Sequence, residues 1–147
     1  MLEPTLDVRK AITAVIRKYK PDVVVCPNPD RSLSLNVFVQ HPDHLAVGEA
    51  ALAAIYPTAR DRMTFPELIA EGLEPHKVNE IWVTGTSSPD FYVDITETIE
   101  TKVRALQAHA SQVDGNRVAE FIPERAKQMG EVEGMGYAEG YKRITLG

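Results

Sequence analysis

At 147 residues the chain has room for one domain with a real core. Its 44% hydrophobic and 25% charged content is that of an ordinary globular chain. A net charge of −5, a pI near 5.4 and the lack of a dense Lys/Arg cluster argue against a nucleic-acid partner. Cys26 is the only cysteine, which excludes an internal disulfide. No signal peptide opens the chain and no apolar run is long enough to span a membrane, so the cytoplasm is the expected compartment.

In chain order, Thr5 is placed to cap a helix whose apolar stripe is Val8, Ala11, Ile12, Val15, Ile16 and Tyr19, and Lys20-Pro21 ends it. Val23-Val24-Val25 reads as a short strand covered on both faces, with Cys26 as a small buried strand-end residue rather than a nucleophile. A polar loop, residues 28–40, leads to a helix that Pro42 opens and Pro57 closes. A short helix from Phe65 to Ala70 stops at Gly72. Val78–Val83 forms a strand ended by Gly85, with Trp82 expected in the core, and Phe91–Val93 a third strand. Asp94 and Glu97 have capping-box spacing before the stripe Ile95, Ile99, Val103, Leu106 and Ala110. A last helix, Asn116–Met129, should be kinked or split by Pro123. Alternating strands and helices predict an α/β layered fold with a mostly parallel sheet. In such sheets chemistry gathers beyond the carboxyl ends of strands. That places the loop after Val25 (Asn28, Asp30, Arg31) and the loop after Val83 (Thr84–Ser87) on one side.

The tetrapeptide His41-Pro42-Asp43-His44 enters that side. Pro42 at the first helical position puts His41 at the N-cap and His44 three residues on, on the same side of the first turn. Two imidazoles and a carboxylate at a positive helix end suit a metal or an anion. Equally, the four residues are compatible with a helix start that histidines happen to cap. They supply at most part of a catalytic zinc site, which takes three protein ligands and a water.

Several segments in order carry more: Pro21–Pro27, His41–His44, Tyr56–Arg62, Glu74–Val78, Val93–Glu97 and Ala108–Gln112. The series closely resembles the LmbE-like (PIG-L) family of zinc-dependent N-deacetylases, from about Leu2 to the Tyr137-Ala138-Glu139 segment. The family's N-terminal Ala-His-Pro-Asp-Asp motif does not occur here. The resemblance therefore implies residues 1–147 as the C-terminal portion of such a domain, a partial Rossmann-like fold. By resemblance His44 is the zinc ligand, His41 stands beside the substrate carbonyl, and Asp43 orients a histidine. The implied reaction is hydrolysis of an acetamide on an amino sugar or its conjugate, with the general base and two of three ligands missing from this chain.

Arg31 is a candidate for a polar substrate group, although loop arginines are commonly just solvated. His109, with Ser111-Gln112, matches a family pattern at a helix end, where a histidine also interacts favourably with the helix dipole. His76 reads as surface or structural and Arg60-Asp61-Arg62 as a local charge network. The alternative function is a non-catalytic α/β domain that binds a ligand or partner. A nucleotide-binding domain is disfavoured because no Gly-rich phosphate loop follows a predicted strand. A sheet lacking its first strands predicts self-association, or pairing with a chain that carries the complementing N-terminal half.

Overall fold

The computed structural model of the protein describes residues 1–31 and 39–147. The chain forms two compact units, residues 1–87 with 142–147, and residues 88–141.

In the first unit, helix α1 (Leu6–Tyr19) starts where Thr5 accepts the Val8 N–H and ends on Lys20 in the left-handed region. It leads into strand β1 (Val23–Pro27), helix α2 (Pro42–Ile55), a 3-10 turn over Thr58–Arg60, helix α3 (Pro66–Ala70) and strand β2 (Glu80–Thr84). β1 and β2 run parallel, from Val23 beside Glu80 to Pro27 beside Thr84. Their inward residues Cys26, Ile81 and Val83 join Ile16, Ala54 and Ile55 in the core. Gly72 and Gly85 both adopt positive φ, as the ends of α3 and β2 require.

Three expectations change in this unit. β1 is not covered on both faces, since Val25 is 53% exposed. Trp82 lies in register with Val25, opposite the core face, and is half-buried. Its indole N–H donates to Glu80 Oε2 at 2.8 Å, and Glu80 is paired with Arg143. The period of two puts Trp82 on the partly polar face, so its size did not decide its side. The expected stripe of α1 is also rotated: Ala11, Val15 and Tyr19 are exposed, while Thr13, Ile16 and Arg17 are buried. Arg17, 1% exposed, explains the rotation. Its Nε donates to Ala59 O at 3.3 Å, and its Nη2 to the carbonyls of Thr58, Asp61 and Thr64 at 3.0, 2.6 and 3.2 Å. Those bonds tie the chain after Pro57 to α1.

The second unit contains strand β3 (Phe91–Asp94), helix α4 (Ile99–Gln107), helix α5 (Gly115–Glu131) and the first half of strand β4 (Ala138–Thr145). The β4 sequence, with Glu139, Lys142 and Arg143, has no apolar alternation that would mark a strand. It pairs antiparallel with β3, Phe91 beside Tyr141, and its second half pairs antiparallel with β2 in the first unit's ladder, Ile81 beside Ile144. The α/β class holds, but among the described residues one ladder is parallel and two are antiparallel, so the sheet is mixed rather than mostly parallel.

The capping box does not form, because Asp94 Oδ1 takes the N–H and hydroxyl of Thr96 two residues on, a turn that delays α4 to Ile99. α5 runs through Pro123 without a break, with Val118 and Ala126 buried on either side of it. A core of Ile95, Ile99 and Ala126, with Val93, Ile122 and Tyr137 around it, holds the unit.

On β4, Glu139 receives hydrogen bonds from Lys102 and Tyr141. Burial works to raise the Glu139 pKa, but those two bonds outweigh it and hold the carboxyl below its ordinary value. Burial, then Glu139, pushes the Tyr141 hydroxyl up. A depressed carboxyl contributes stability above the unfolded value of about 4.3, and that contribution is lost as pH falls through the folded value. Thermal melts from neutral to about pH 3 should therefore lose part of their acid slope in Glu139→Gln. An unchanged slope would remove Glu139 from the acid response.

Candidate functional site

The parallel ends of β1 and β2 come together, and the Asn28 N–H donates to Thr84 O at 2.9 Å, joining the two loops expected to share a side. Asn28 Oδ1 then accepts the Asp30 N–H, a tight polar turn that leads to the exposed Arg31. Arg31 adjoins residues 32–38, which lie outside the described residues.

At the start of α2 the sequence pattern is realised closely. Pro42 occupies the first turn, His41 is the N-cap, and the His41 carbonyl accepts from the amides of His44 and Leu45. Both imidazoles are exposed, their ring centres 5.9 Å apart with planes inclined at 48°. His41 Nδ1 accepts the Asp43 backbone N–H at 3.2 Å. In the neutral ring that places the proton on Nε2, so His41 faces solvent as a hydrogen-bond donor. No hydrogen bond engages the His44 ring among the described residues, which leaves a neutral imidazole nitrogen to act as an electron-pair donor.

Asp43 differs from expectation. Its Oδ1 accepts the Leu2 N–H at 2.8 Å, and that bond is the main reason its pKa is lowered. Its Oδ2 is 3.9 Å from His41 Nδ1, beyond hydrogen-bond reach, so its side chain orients neither ring by such a bond. The backbone amide of Asp43, rather than its carboxylate, sets the His41 ring. Asp43 instead ties the Leu2 backbone to the histidine turn.

The remaining candidates separate. His109 lies in the second unit after α4, where its amide bonds Leu106 O and its carbonyl accepts from Gln112 and Val113. His76 is structural, with Nε2 2.8 Å from Pro21 O and its amide donating to Ala59 O. The Arg60–Arg62 stretch makes separate contacts: Arg60 lies over the Tyr56 ring and donates to Gly147 O at 3.2 Å, Asp61 accepts from Thr64 and Met63, and Arg62 pairs with Glu74. Cys26 is 3% exposed and burial pushes its thiol up to about 11, which suits a core residue and not a nucleophile. A cleft of about 720 Å³ in the second unit, lined by Glu97, Glu100, Arg104, Pro123 and Tyr137, was not anticipated. It depends on how α4 meets α5, for which local pattern gives no signal.

One ligand-type imidazole does not make a metal centre. Among the described residues no group of three or more His, Cys, Asp or Glu is arranged to hold an ion. His44 fits as a single zinc donor, its ring exposed on the first turn of α2; Asp43, engaged by Leu2, fits less well.

Comparison with known proteins gives this geometry a family. Residues 1–55 match the family described as PIG-L: GlcNAc-PI de-N-acetylase. The diacetylchitobiose deacetylase of Thermococcus kodakarensis is 33% identical over 143 residues, covering 95% of this chain and 51% of that protein. The 1D-myo-inositol 2-acetamido-2-deoxy-alpha-D-glucopyranoside deacetylase of Rhodococcus erythropolis is 30% identical over 70% of this chain and 42% of its own length. Among solved structures, N,N′-diacetylchitobiose deacetylase from Pyrococcus horikoshii superposes with a TM-score of 0.82 at 28% identity, covering 97% of this chain and 52% of that one. The chain thus spans about half the length of the curated relatives it matches. These relatives are N-deacetylases named for amino-sugar substrates, and this chain belongs to the LmbE-like (PIG-L) family.

Proposed function

We propose that this chain supplies one wall of a zinc-dependent N-deacetylase site for an N-acetylated amino sugar or its conjugate, and is not competent alone. The observation that carries this reading is the pair of exposed imidazoles, His41 and His44, on the first turn of α2, a helix that rests at Gly48 on the Pro27 end of β1. In it, His44 would hold the metal as one of its protein donors. Zinc, when bound, supplies a Lewis acid that activates water and polarises the acetamide carbonyl. His41, protonated on Nε2, donates a hydrogen bond to the carbonyl oxygen as it gains negative charge. Water and the acetamide become acetate and a free amine. Arg31 and His109 remain candidates for holding the sugar or its conjugate. The other zinc donors and the general base come from a complementing N-terminal half, or from a second copy in a homo-oligomer.

A second reading, a ligand- or partner-binding domain without catalysis, is favoured by one observation: the Asp43 carboxylate is engaged by Leu2 instead of a histidine. Zinc analysis and acetate release from N,N′-diacetylchitobiose by the purified chain separate the readings. The proposal expects weak zinc binding that His44→Ala abolishes, and no turnover. One tightly held zinc per chain with turnover would overturn the claim of incompleteness. Zinc binding indifferent to His44→Ala would overturn the metal role and leave the binding-domain reading. Among the described residues no helix is long and apolar enough to cross a membrane; cytoplasmic location stays part of the proposal.

A further inference from the structure

Glycine destabilises a helix interior relative to alanine, yet α2 places Gly48, buried, among Ala46, Ala50 and Ala51. The reason is a close approach. A Cβ at Gly48 would lie 2.4 Å from Pro27 O and 3.1 Å from Pro29 N. Both are backbone atoms with little freedom: Pro27 ends β1 in register with Thr84, the next amide bonds Thr84 O, and Pro29 has a fixed φ. His44 precedes Gly48 by four residues and shares its helix face.

We infer that Gly48 is a positioning residue: it lets α2 rest directly on the end of β1 and so sets the depth of the His41–His44 turn against the strand-end loops. This rests on the metal-site reading above. Relieving a 2.4 Å contact requires α2 to lift by about 1 Å, and a displacement of that size can cost about a hundredfold in a reaction that depends on alignment. No sequence motif assigns this role, because what the glycine accommodates is a backbone distant in sequence.

The test uses the labelled chain and Cu²⁺ alone as the probe, since imidazole is a good ligand for that paramagnetic ion. In the wild type, Cu²⁺ should erase the NMR amide signals of Asp43 and Leu45, beside the histidines, and weaken those of Asn28, Asp30 and Thr84. In Gly48→Ala the first pair should still vanish, while the strand-end signals regain intensity at the same Cu²⁺ concentration. Gly130→Ala is the control: its Cβ would lie 2.6 Å from Met135 O, an equal overpacking on a helix without histidines. It should keep the wild-type pattern. An unchanged pattern in Gly48→Ala would overturn the positioning role alone. Asp43 and Leu45 unaffected by Cu²⁺ in the wild type would instead overturn the metal-site reading beneath it. Should Gly48→Ala not fold, Gly48→Ala with Pro29→Gly, which gives the loop backbone slack, is read by the same signals and criteria.

Discussion

When this chain replaces the matching segment of the Thermococcus kodakarensis deacetylase, the hybrid is expected to release acetate from diacetylchitobiose, and His44→Ala to lower its kcat/KM about a thousandfold. The magnitude follows from chemistry: a Lewis acid contributes several kcal/mol of charge stabilisation, and each 1.36 kcal/mol is about tenfold in rate. His41→Ala should cost about 10² to 10³, the usual effect of losing one oxyanion donor. The two differ in kind as well as size. His44→Ala should lower the zinc content of the hybrid, whereas His41→Ala should leave it intact, because His41 Nδ1 is already occupied by the Asp43 amide. A folded hybrid whose zinc and rate are both untouched by His44→Ala would refute the ligand assignment.

The second large effect lies away from the histidines. Arg17→Met should cost about 3 kcal/mol of unfolding free energy, a large share of the 5 to 15 kcal/mol typical of a domain. Four carbonyls take hydrogen bonds from this one guanidinium, and they are not equal. Thr58 O and Ala59 O also accept from the amides of Asp61 and His76, so they keep a partner. The carbonyls of Asp61 and Thr64 bear most of the loss. Burial pulls the Arg17 pKa down from the ordinary arginine value, with Asp61 and Glu74 opposing it. Arg17→Lys should recover little, since an ammonium cannot span acceptors laid out for a planar fork. Urea unfolding measures both. A loss below about 1 kcal/mol would mean that water replaces the arginine at little cost.

The contrast between the two arginine readings shows where sequence pattern reaches its limit. Arg31 was singled out because it lies near the histidine motif in a polar loop. Arg17, a cation between Ile16 and Lys18, has the local pattern of the solvated side of an amphipathic helix. Its burial follows from the 3-10 turn over Thr58–Arg60 and the residues after it, which bring carbonyls to α1 from some forty residues away. Trp82 errs in the opposite direction: a large apolar ring was assigned inward, but strand register gave it to the face shared with Glu80 and Arg143.

Residue order alone determined the features that depend on neighbours within a few positions. These are the caps at Thr5 and His41, Pro42 opening α2, the glycine stops at Gly72 and Gly85, the α/β alternation, and a family resemblance carried by ordered motifs. Tertiary structure decided what depends on surfaces meeting. It made β4 a strand although Glu139, Lys142 and Arg143 interrupt any apolar alternation, because its backbone pairs with β2 and β3. It turned α1 about its axis, gave the Asp43 carboxylate to Leu2, and left space for no more than a hydrogen atom at Gly48. The physical reason is the same in each case: hydrogen-bond partners and steric limits were set by atoms tens of residues away, and a local pattern contains no information about them.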